Sequence, residues 1–359
     1  MTAAYVALEG GHVVEGRGRA PGTANGEIVF TTAYTGYEES LTDPSYEEQV
    51  LTFSYPLIGN YGVREERFES DRIHPRAVVA RELTDSVTDW LESEGVPAMD
   101  HLDTREIVTD IREGGAMKCG IAVGESVTEE DALAELDDCV AMSDHTGIGA
   151  QVSVGEAETY GPDDPEAPSV ALIDCGVKGS IISSLVERGA SVSVLPYDAT
   201  TEDVLETDPD LLFISNGPGD PANYEAAVAL VFELTGEVPI AGICLGQQIV
   251  ARALGGTTEK MAFGHRGVNQ PVLDLDSKRV VMTTQNHGYT VGDPGDRLAV
   301  AQVNVNDDTP EGLVGTDADV ITRQYHPEAN PGPHDSLTFF DDVLAMTDAQ
   351  SGRTVPADD

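Results

Sequence analysis

The spacing of apolar and polar positions divides the chain into two parts. In the first part, short apolar or alternating runs lie between Gly, Pro and Asp residues, as is typical of strands. These runs cover residues 5–11, 26–32, 49–55 and 76–82. Helical spacing follows at 86–94, 103–113 and 129–139. The pattern predicts a smaller α+β, or β-rich, domain over residues 1–152, and a capping box of Thr128 and Asp131 opens its third helix.

Beyond residue 168, strand-like runs alternate with helical ones. The predicted strands are 169–175, 191–196, 210–216 and 238–243, with later ones at 279–285, 298–305 and 320–326. The predicted helices are 179–189, 222–234, one that begins after Cys244, and a closing helix at 335–346. Alternation of this kind requires crossover connections. We therefore predict an α/β domain over 169–347, with a mainly parallel sheet flanked by helices.

Two segments lack apolar periodicity. Residues 153–168 are rich in Pro, Gly and acidic side chains, which indicates an interdomain linker. Residues 348–359 are predicted to be a disordered tail.

Length and composition suit a two-domain globular protein. The chain has 359 residues, of which 40% are hydrophobic, enough for two cores. No stretch approaches a membrane span, and the N-terminus lacks the basic and apolar blocks of a signal peptide. We expect a cytoplasmic protein that does not bind a membrane. The four cysteines are widely spaced without a C-x-x-C pair, so neither a zinc site nor a disulfide scaffold is indicated.

The formal net charge of −44 is spread along the chain. Nucleic-acid binding is disfavoured because it requires basic patches. Intrinsic disorder is disfavoured by the regular apolar spacing. Only four of the 20 basic residues are lysine, and a diffuse acidic surface poor in lysine is typical of proteins from organisms with molar internal salt.

The charge predicts a salt requirement for stability. Because salt screens the repulsion between acidic side chains, the melting temperature should be higher in molar potassium chloride than in dilute buffer. A thermal melt that is equally high in both solutions would contradict this hypothesis.

The segment around Cys244 carries the strongest sign of chemistry. An apolar run ends at this cysteine, and Gly242 and Gly246 flank it. This is the G-x-nucleophile-x-G pattern of a strand–turn–helix elbow. The glycines allow close approach of strand and helix, and the helix start favours negative charge on the sulfur.

A base and its orienting group are predicted at His326 and Glu328. Both follow a strand-like run, and residues two apart in an extended segment point to the same side. Glu328 is suited to fix the imidazole tautomer and to stabilise its charged form. His265 and His287, in Gly-rich segments, are rival candidates for the base.

A second turn, S-N-G-P-G-D-P at 215–221, follows the predicted strand 210–216. It exposes backbone N–H groups at the carboxyl edge of the sheet, where α/β domains bind ligands. With the N–H group of Leu245, they would form an oxyanion hole. The segment lacks the G-K-[ST] signature of a phosphate loop.

Three of these segments together, N-G-P-G-D-P, G-I-C-L-G-Q-Q and H-P-E, resemble the class I (triad-type) glutamine amidotransferases over residues 169–346. The rest of the chain resembles the carbamoyl-phosphate synthase small-chain family. The matching segments are 30–62, 103–121, 283–291 and 324–335. The likeness therefore extends along nearly the whole chain.

The resemblance implies a role for each residue on a family motif. Cys244 would be the nucleophile, His326 the general base and Glu328 its orienter. The positions that would contact L-glutamine are Ser45, Gly217, Gly219, Leu245, Gln248, Asn286, Gly288 and Tyr289. Ser45 would reach the site from the N-terminal domain.

The resemblance also implies a glutamyl-thioester mechanism and a partner. Ammonia released from glutamine would pass to a large synthetase subunit that binds ATP and magnesium. That subunit would make carbamoyl phosphate from bicarbonate for arginine and pyrimidine synthesis. No cofactor and no metal are expected in this chain, and a heterodimer or higher oligomer is expected.

Three positions depart from the family pattern. Gln247 replaces a histidine, Tyr289 replaces a phenylalanine, and 177–182 reads V-K-G-S-I-I where V-K-R-N-I is usual. None belongs to the triad.

Three alternatives stay open. One is the amidotransferase component of another synthase, of anthranilate or GMP type, although such components usually lack the N-terminal domain. The second is a γ-glutamyl thiol hydrolase or thiol peptidase. The third is a non-catalytic regulatory subunit, which the intact triad disfavours.

Overall fold

The computed structural model describes residues 2–351, which fall into two compact units. The barrel unit contains the chain up to Thr146 together with Met261–Val268, and the sheet unit contains the rest. The boundary lies near the predicted one at residue 152, but the return of 261–268 to the barrel unit was not predicted. Residues 352–359 of the predicted tail lie outside the described part. No helix among the described residues is long and apolar enough to span a membrane.

Seven strands of the barrel unit close into a barrel in the order β1-β2-β8-β6-β4-β3-β9. Two short strands, β5 and β7, form a separate parallel pair. The strands are β1 (Ala3–Leu8), β2 (Val13–Ala20), β3 (Gly22–Thr31), β4 (Gln49–Phe53), β5 (Leu57–Ile58), β6 (Ala77–Val79), β7 (Glu82–Leu83), β8 (Ala98–Asp100) and β9 (Met117–Gly124).

Three of the four α-helices of the barrel unit lie close to their predicted positions, and the first, at residues 37–41, was not predicted. The four helices are α1 (Tyr37–Leu41), α2 (Asp85–Ser93), α3 (Thr104–Gly114) and α4 (Glu129–Asp138), with short 3-10 turns at Pro44–Tyr46, Glu65–Arg67 and Met142–Asp144. The capping box at the start of α4 is confirmed, since the Thr128 N–H group donates to Asp131 Oδ2 at 2.7 Å. Apolar side chains such as Ile28, Val50 and Ile121 fill the barrel core.

The sheet unit is built on ten strands in the order β10-β12-β11-β13-β14-β19-β18-β17-β15-β16. The run from β12 to β19 is parallel, and β18, β17 and β15 extend it in antiparallel pairing. The strands are β10 (Glu158–Tyr160), β11 (Ser169–Asp174), β12 (Ser191–Pro196), β13 (Leu211–Ile214), β14 (Ile240–Ile243), β15 (Thr258–Asp274), β16 (Val280–Val291), β17 (Leu298–Asn304), β18 (Pro310–Gly315) and β19 (Val320–Arg323). The middle of β15, Met261–Val268, belongs to the barrel unit.

Helices and an aromatic cluster complete the sheet unit. The helices are α5 (Gly149–Val152), α6 (Gly179–Val186), α7 (Thr201–Leu205), α8 (Glu225–Leu234), α9 (Leu245–Ala253) and α10 (Thr338–Ser351), with a 3-10 turn at Pro221–Asn223. Phe213, Phe339 and Phe340 pack in edge-to-face pairs within its core. Helix α10 continues past residue 347, where the predicted domain ended.

The predicted fold class, an α/β domain preceded by a smaller α+β domain, is confirmed. The sheet is less parallel than predicted, because only five of its strands form the parallel run. The segment predicted as a linker contains β10, which pairs antiparallel with β12 at the sheet edge. All three side chains of β10 are exposed, so this strand shows no apolar period that the sequence could reveal.

Candidate active site

Three neighbouring strands bring the predicted chemistry to one edge of the sheet. Strand β14 pairs in parallel with β13 on one side and β19 on the other. The turn 215–221 follows β13, Cys244 follows β14, and His326 lies just beyond β19. Because parallel strands end at the same edge, these segments meet there. The predicted association of the three segments is therefore present in the fold.

Cys244 occupies a strained turn between β14 and α9. Its φ of 55° and ψ of −106° lie outside the regions that L-residues usually adopt. Its N–H group donates to the Arg323 carbonyl oxygen at 2.7 Å, which ties the turn to β19. The residue is 2% exposed, and it directly precedes the first turn of α9, where backbone N–H groups lack helical acceptors.

The two flanking glycines allow this turn to form. A Cβ atom at Gly246 would lie 2.1 Å from the Ile214 carbonyl oxygen, and one at Gly242 would lie 2.8 Å from the carbonyl carbon of Gly246. Both contacts are shorter than van der Waals distance and involve backbone atoms. Helix α9 can therefore approach β13 and β14 only if glycine occupies these positions.

We expect Gly246→Ala to destabilise the protein by about 1–3 kcal/mol, because the added methyl must displace backbone. The control is Gly155→Ala, where a Cβ atom meets no other atom within 4 Å. Denaturant titration in constant high salt measures both changes. Equal stability of the two variants would contradict the proposed close approach.

His326 and Glu328 form a buried pair beside the cysteine. His326 Nδ1 lies 2.6 Å from Glu328 Oε1, and both side chains are at most 1% exposed. Burial lowers the pKa of His326, but the charge of Glu328 and interactions with Cys244 outweigh burial and raise the pKa above its ordinary value. The imidazole therefore favours its charged form at neutral pH.

The remaining imidazole nitrogen is available for chemistry. Among the described residues, Nε2 has no hydrogen-bond partner in the resting geometry, although the Cys244 side chain is close enough to raise the pKa of His326. The Cys244 sulfur contacts the Asn286 carbonyl oxygen at 3.6 Å. Catalytic hydrogen bonds are often long in ligand-free sites and shorten when substrate binds.

Lys178 is a member of this site that the sequence reasoning missed. Its Nζ atom lies 3.1 Å from Glu328 Oε1 and donates to the carbonyl oxygens of Ala329 and Asn330, each at 2.8 Å. Burial raises the pKa of Glu328, but the charges of Lys178 and His326 lower it below its ordinary value. Glu328 is thereby kept ionised behind the imidazole. The only sequence signal was the shared V-K pair of the departing segment 177–182.

The loop that carries Lys178 is fixed from two sides. Asp174, at the end of β11, accepts hydrogen bonds from the N–H groups of Gly176 at 2.9 Å and Val177 at 2.7 Å. Asn216 Oδ1 accepts from the Lys178 N–H group at 3.1 Å. Strand β11 neighbours β13, so this loop opens at the same sheet edge as the cysteine.

The pair of His326 and Glu328 is expected to contribute to stability within a defined pH window. The contribution from the raised His326 pKa is complete below the ordinary value of 6.5 and is lost as the pH rises through the raised value. The contribution from the lowered Glu328 pKa is complete above the ordinary value of 4.5 and is lost as the pH falls through the lowered value. The difference in unfolding free energy between wild type and Glu328→Gln should therefore be largest between pH 4.5 and 6.5.

Denaturant titrations of wild type and Glu328→Gln at several pH values in constant salt measure this difference. The expected pH window would be contradicted if the difference in unfolding free energy did not decrease below pH 4.5 and above pH 6.5.

The two segments predicted to form an oxyanion hole, the turn 215–221 and the start of α9, lie close together. A Cβ atom at Gly217 would be 2.0 Å from the Cys175 carbonyl oxygen and 3.0 Å from Leu245 Cδ2, which shows how closely the turn approaches both segments. Gly219 has a φ of +88°, a conformation that favours glycine. The turn and the start of α9 are therefore neighbours, as the oxyanion-hole prediction requires.

The remaining predicted contacts of the sheet unit lie on α9 and β16. Gln248 Nε2 donates to the Tyr289 carbonyl oxygen at 2.8 Å. Asn286 and Gly288 lie on β16 in the same segment. The rival base His287 faces Tyr289 O at 2.8 Å and Gln285 Oε1 at 3.1 Å. Because both of its nitrogens are engaged, it is a poor candidate for the base.

Ser45 and His265 belong to the barrel unit. Ser45 lies in the 3-10 turn Pro44–Tyr46, where its N–H group donates to Asp43 Oδ1 at 2.9 Å. His265 lies within 261–268. The role of Ser45 in glutamine contact stays a prediction.

Comparison with known proteins supports the family resemblance predicted for both halves of the chain. Residues 171–346 match the family model "Glutamine amidotransferase class-I", and residues 6–121 match "Carbamoyl-phosphate synthase small chain, CPSase domain". The carbamoyl phosphate synthase small chains of two Halobacterium salinarum strains are 71% identical over 97% of this chain and 98% of theirs. Those of Methanopyrus kandleri and Methanocaldococcus jannaschii are 44% and 42% identical, over 96% of this chain and 98% and 99% of theirs. The chain therefore belongs to the carbamoyl phosphate synthase small-chain family.

Proposed function

We propose that this chain hydrolyses L-glutamine and delivers ammonia to a large synthetase subunit that makes carbamoyl phosphate. The observation that carries the proposal is the arrangement of Cys244, His326 and Glu328. A cysteine on a strained elbow lies beside an imidazole whose other nitrogen is held by a buried carboxylate at 2.6 Å. This is the geometry of an activated thiol nucleophile.

The first half of the reaction forms a thioester. The Cys244 thiolate attacks the carboxamide carbon of glutamine, and the carbonyl oxygen becomes an oxyanion. The N–H groups of Leu245 and the turn around Gly217 and Gly219 would stabilise that charge. The protonated His326 then gives its proton to the departing nitrogen, the C–N bond breaks, and ammonia leaves. A γ-glutamyl thioester remains on the sulfur.

The second half restores the enzyme. His326, now neutral, takes a proton from water, which attacks the thioester carbon. The C–S bond breaks, glutamate leaves, and the imidazolium–thiolate pair forms again. Throughout the cycle Glu328 holds the ring and balances its charge, and Lys178 keeps Glu328 ionised.

The family also supports a large-subunit partner. Free ammonia is largely protonated at neutral pH and is then not nucleophilic, so direct delivery to an acceptor site preserves its reactivity. In the proposed complex the large subunit binds ATP and magnesium, activates bicarbonate, and supplies carbamoyl phosphate for arginine and pyrimidine synthesis. This chain would need no cofactor of its own.

A matched assay tests the proposal against its rivals. The chain is assembled with the large subunit of the same organism in molar potassium chloride, and carbamoyl phosphate is measured with glutamine or ammonium as the nitrogen source. Synthesis from glutamine, with glutamate formed in equal amount, is expected. Hydrolysis of γ-glutamyl peptides in preference to glutamine would favour the γ-glutamyl hydrolase reading. The match of residues 6–121 to the small-chain model speaks against an anthranilate-type or GMP-type component.

A further inference from the structure

Gln324 is a buried polar residue next to the proposed site to which the mechanism assigns no task. It is 0% exposed and lies between the end of β19 and His326. Its Oε1 atom accepts a hydrogen bond from Gln248 Nε2 at 3.1 Å. Gln248 is one of the residues predicted to contact glutamine. Gln324 is therefore hydrogen-bonded to a residue of the proposed substrate site.

The orientation of both amides follows from one backbone atom. The Tyr289 carbonyl oxygen lies 2.8 Å from the Gln248 amide, and a carbonyl oxygen only accepts hydrogen bonds. The Gln248 atom facing it is therefore Nε2. The same Nε2 atom faces Gln324, so the Gln324 atom in that contact must be the acceptor Oε1. Both N–H bonds of Gln248 Nε2 are used, and the Gln248 amide has a single orientation.

The other end of Gln324 has no partner. Its Nε2 atom is buried and makes no hydrogen bond within the described part of the chain. A buried unpaired amide group is unfavourable, whereas an apolar side chain of similar size would avoid that penalty. Packing alone therefore does not explain a glutamine here. The oxygen of the Gln324 side chain is the atom that makes a hydrogen bond, and its partner is Gln248.

Fixing Gln248 Nε2 leaves Gln248 Oε1 as an acceptor near the nucleophile. Gln248 lies one helical turn after Cys244 on α9, and its N–H group donates to the Cys244 carbonyl oxygen at 3.4 Å. Residues four apart share a helix face, and helical side chains lean towards the N-terminus. The Gln248 side chain is thus directed towards the turn that carries the sulfur.

We propose that Gln324 is a positioning residue that locks the Gln248 amide with its oxygen towards the substrate. The site then offers an acceptor to an N–H group of bound glutamine and disfavours ligands that present an acceptor at that point. This inference rests on the proposed glutamine hydrolysis and adds a residue that determines its specificity.

A double-mutant cycle tests this role in the complex with the large subunit. Gln324→Leu removes the acceptor, so the KM for glutamine should rise at least tenfold with a smaller change in kcat. Gln324→Glu keeps an oxygen acceptor in either protonation state, so its KM should stay within threefold of wild type. In a Gln248→Leu background, the Gln324→Leu change should have no further effect on KM, because Gln324 acts only through Gln248.

Three results would overturn the inference: an unchanged KM in Gln324→Leu, equal losses in Gln324→Leu and Gln324→Glu, or a full additional loss in the double variant. Synthesis from ammonium does not use the glutamine site, so it is measured in every variant to verify folding and assembly. If Gln324→Leu does not fold, Gln324→Met takes its place, because methionine also lacks the amide oxygen that accepts from Gln248, and the same rise in KM is expected. A wild-type complex active with ammonium but inactive with glutamine would instead refute the proposed function, and this inference with it.

Discussion

Replacing Cys244 by serine should abolish carbamoyl phosphate synthesis from glutamine while leaving synthesis from ammonium intact. Loss of the nucleophile of a triad reduces kcat by orders of magnitude, and a decrease on the order of 10⁴-fold or more is expected. Serine preserves the size and the elbow geometry, but a hydroxyl is far less acidic than a thiol and does not give its proton to the neighbouring imidazole in the resting site. The two rates are measured with the assembled complex in high salt.

The free thiol at Cys175 provides a matched control. This cysteine is also fully buried, but burial raises the pKa of its thiol well above the ordinary value. Cys175→Ser should therefore leave synthesis from glutamine within a small factor of wild type. If Cys244→Ser lost both activities, the cysteine would be structural, and if it kept both, the thioester mechanism would be wrong.

Replacing Lys178 by methionine should destabilise the protein by about 3–5 kcal/mol, the usual effect of removing one partner from a buried ion pair. The side chains of Lys178 and Glu328 are 3% and 0% exposed, so solvent cannot take over the lost charge. Two carbonyl oxygens, of Ala329 and Asn330, would also lose their donor. Both residues have positive φ values, 60° and 39°, so Lys178 helps to hold an unfavourable backbone conformation.

Denaturant titration and glutamine turnover measure the two consequences of Lys178→Met. Turnover should fall because Glu328 becomes easier to protonate and no longer orients His326 reliably. Lys278→Met removes an exposed lysine and should change stability by at most about 0.5 kcal/mol. Equal stability losses in the two lysine variants would show that the buried contact between Lys178 and Glu328 contributes no more to stability than an exposed lysine does.

The apolar spacing predicted the helices and strands that have one buried and one exposed face, and the strands that are buried on both faces. Strand β11 and helices α3 and α4 were predicted within two residues of their observed ends, because an apolar period survives in each. Strand β2 was missed, since V-V-E-G-R-G-R-A interrupts its alternation with glycine and arginine. The length of β15, 17 residues, was also missed, because no continuous strand pattern covers it.

The proposed nucleophile and its proposed base were predictable because each has a local signature. Glycines two residues before and after Cys244 indicated an elbow, and the H-P-E tripeptide indicated an imidazole with a carboxylate. Lys178 and Gln324 have no comparable signature. A lysine in a loop and a glutamine before an aromatic residue acquire meaning only from atoms 150 and 76 positions away along the chain.

The sequence by itself determined that the chain forms an α/β unit with a cysteine at the carboxyl end of a buried strand, because glycine spacing and apolar periods are local properties. It also determined the acidic surface, which depends only on composition. Tertiary structure alone decided that β13, β14 and β19 lie side by side, which brings the turn, the thiol and the imidazole to one edge. Tertiary structure also decided that Lys178 keeps Glu328 ionised and that Gln324 accepts a hydrogen bond from Gln248. These contacts join segments that no local sequence pattern connects.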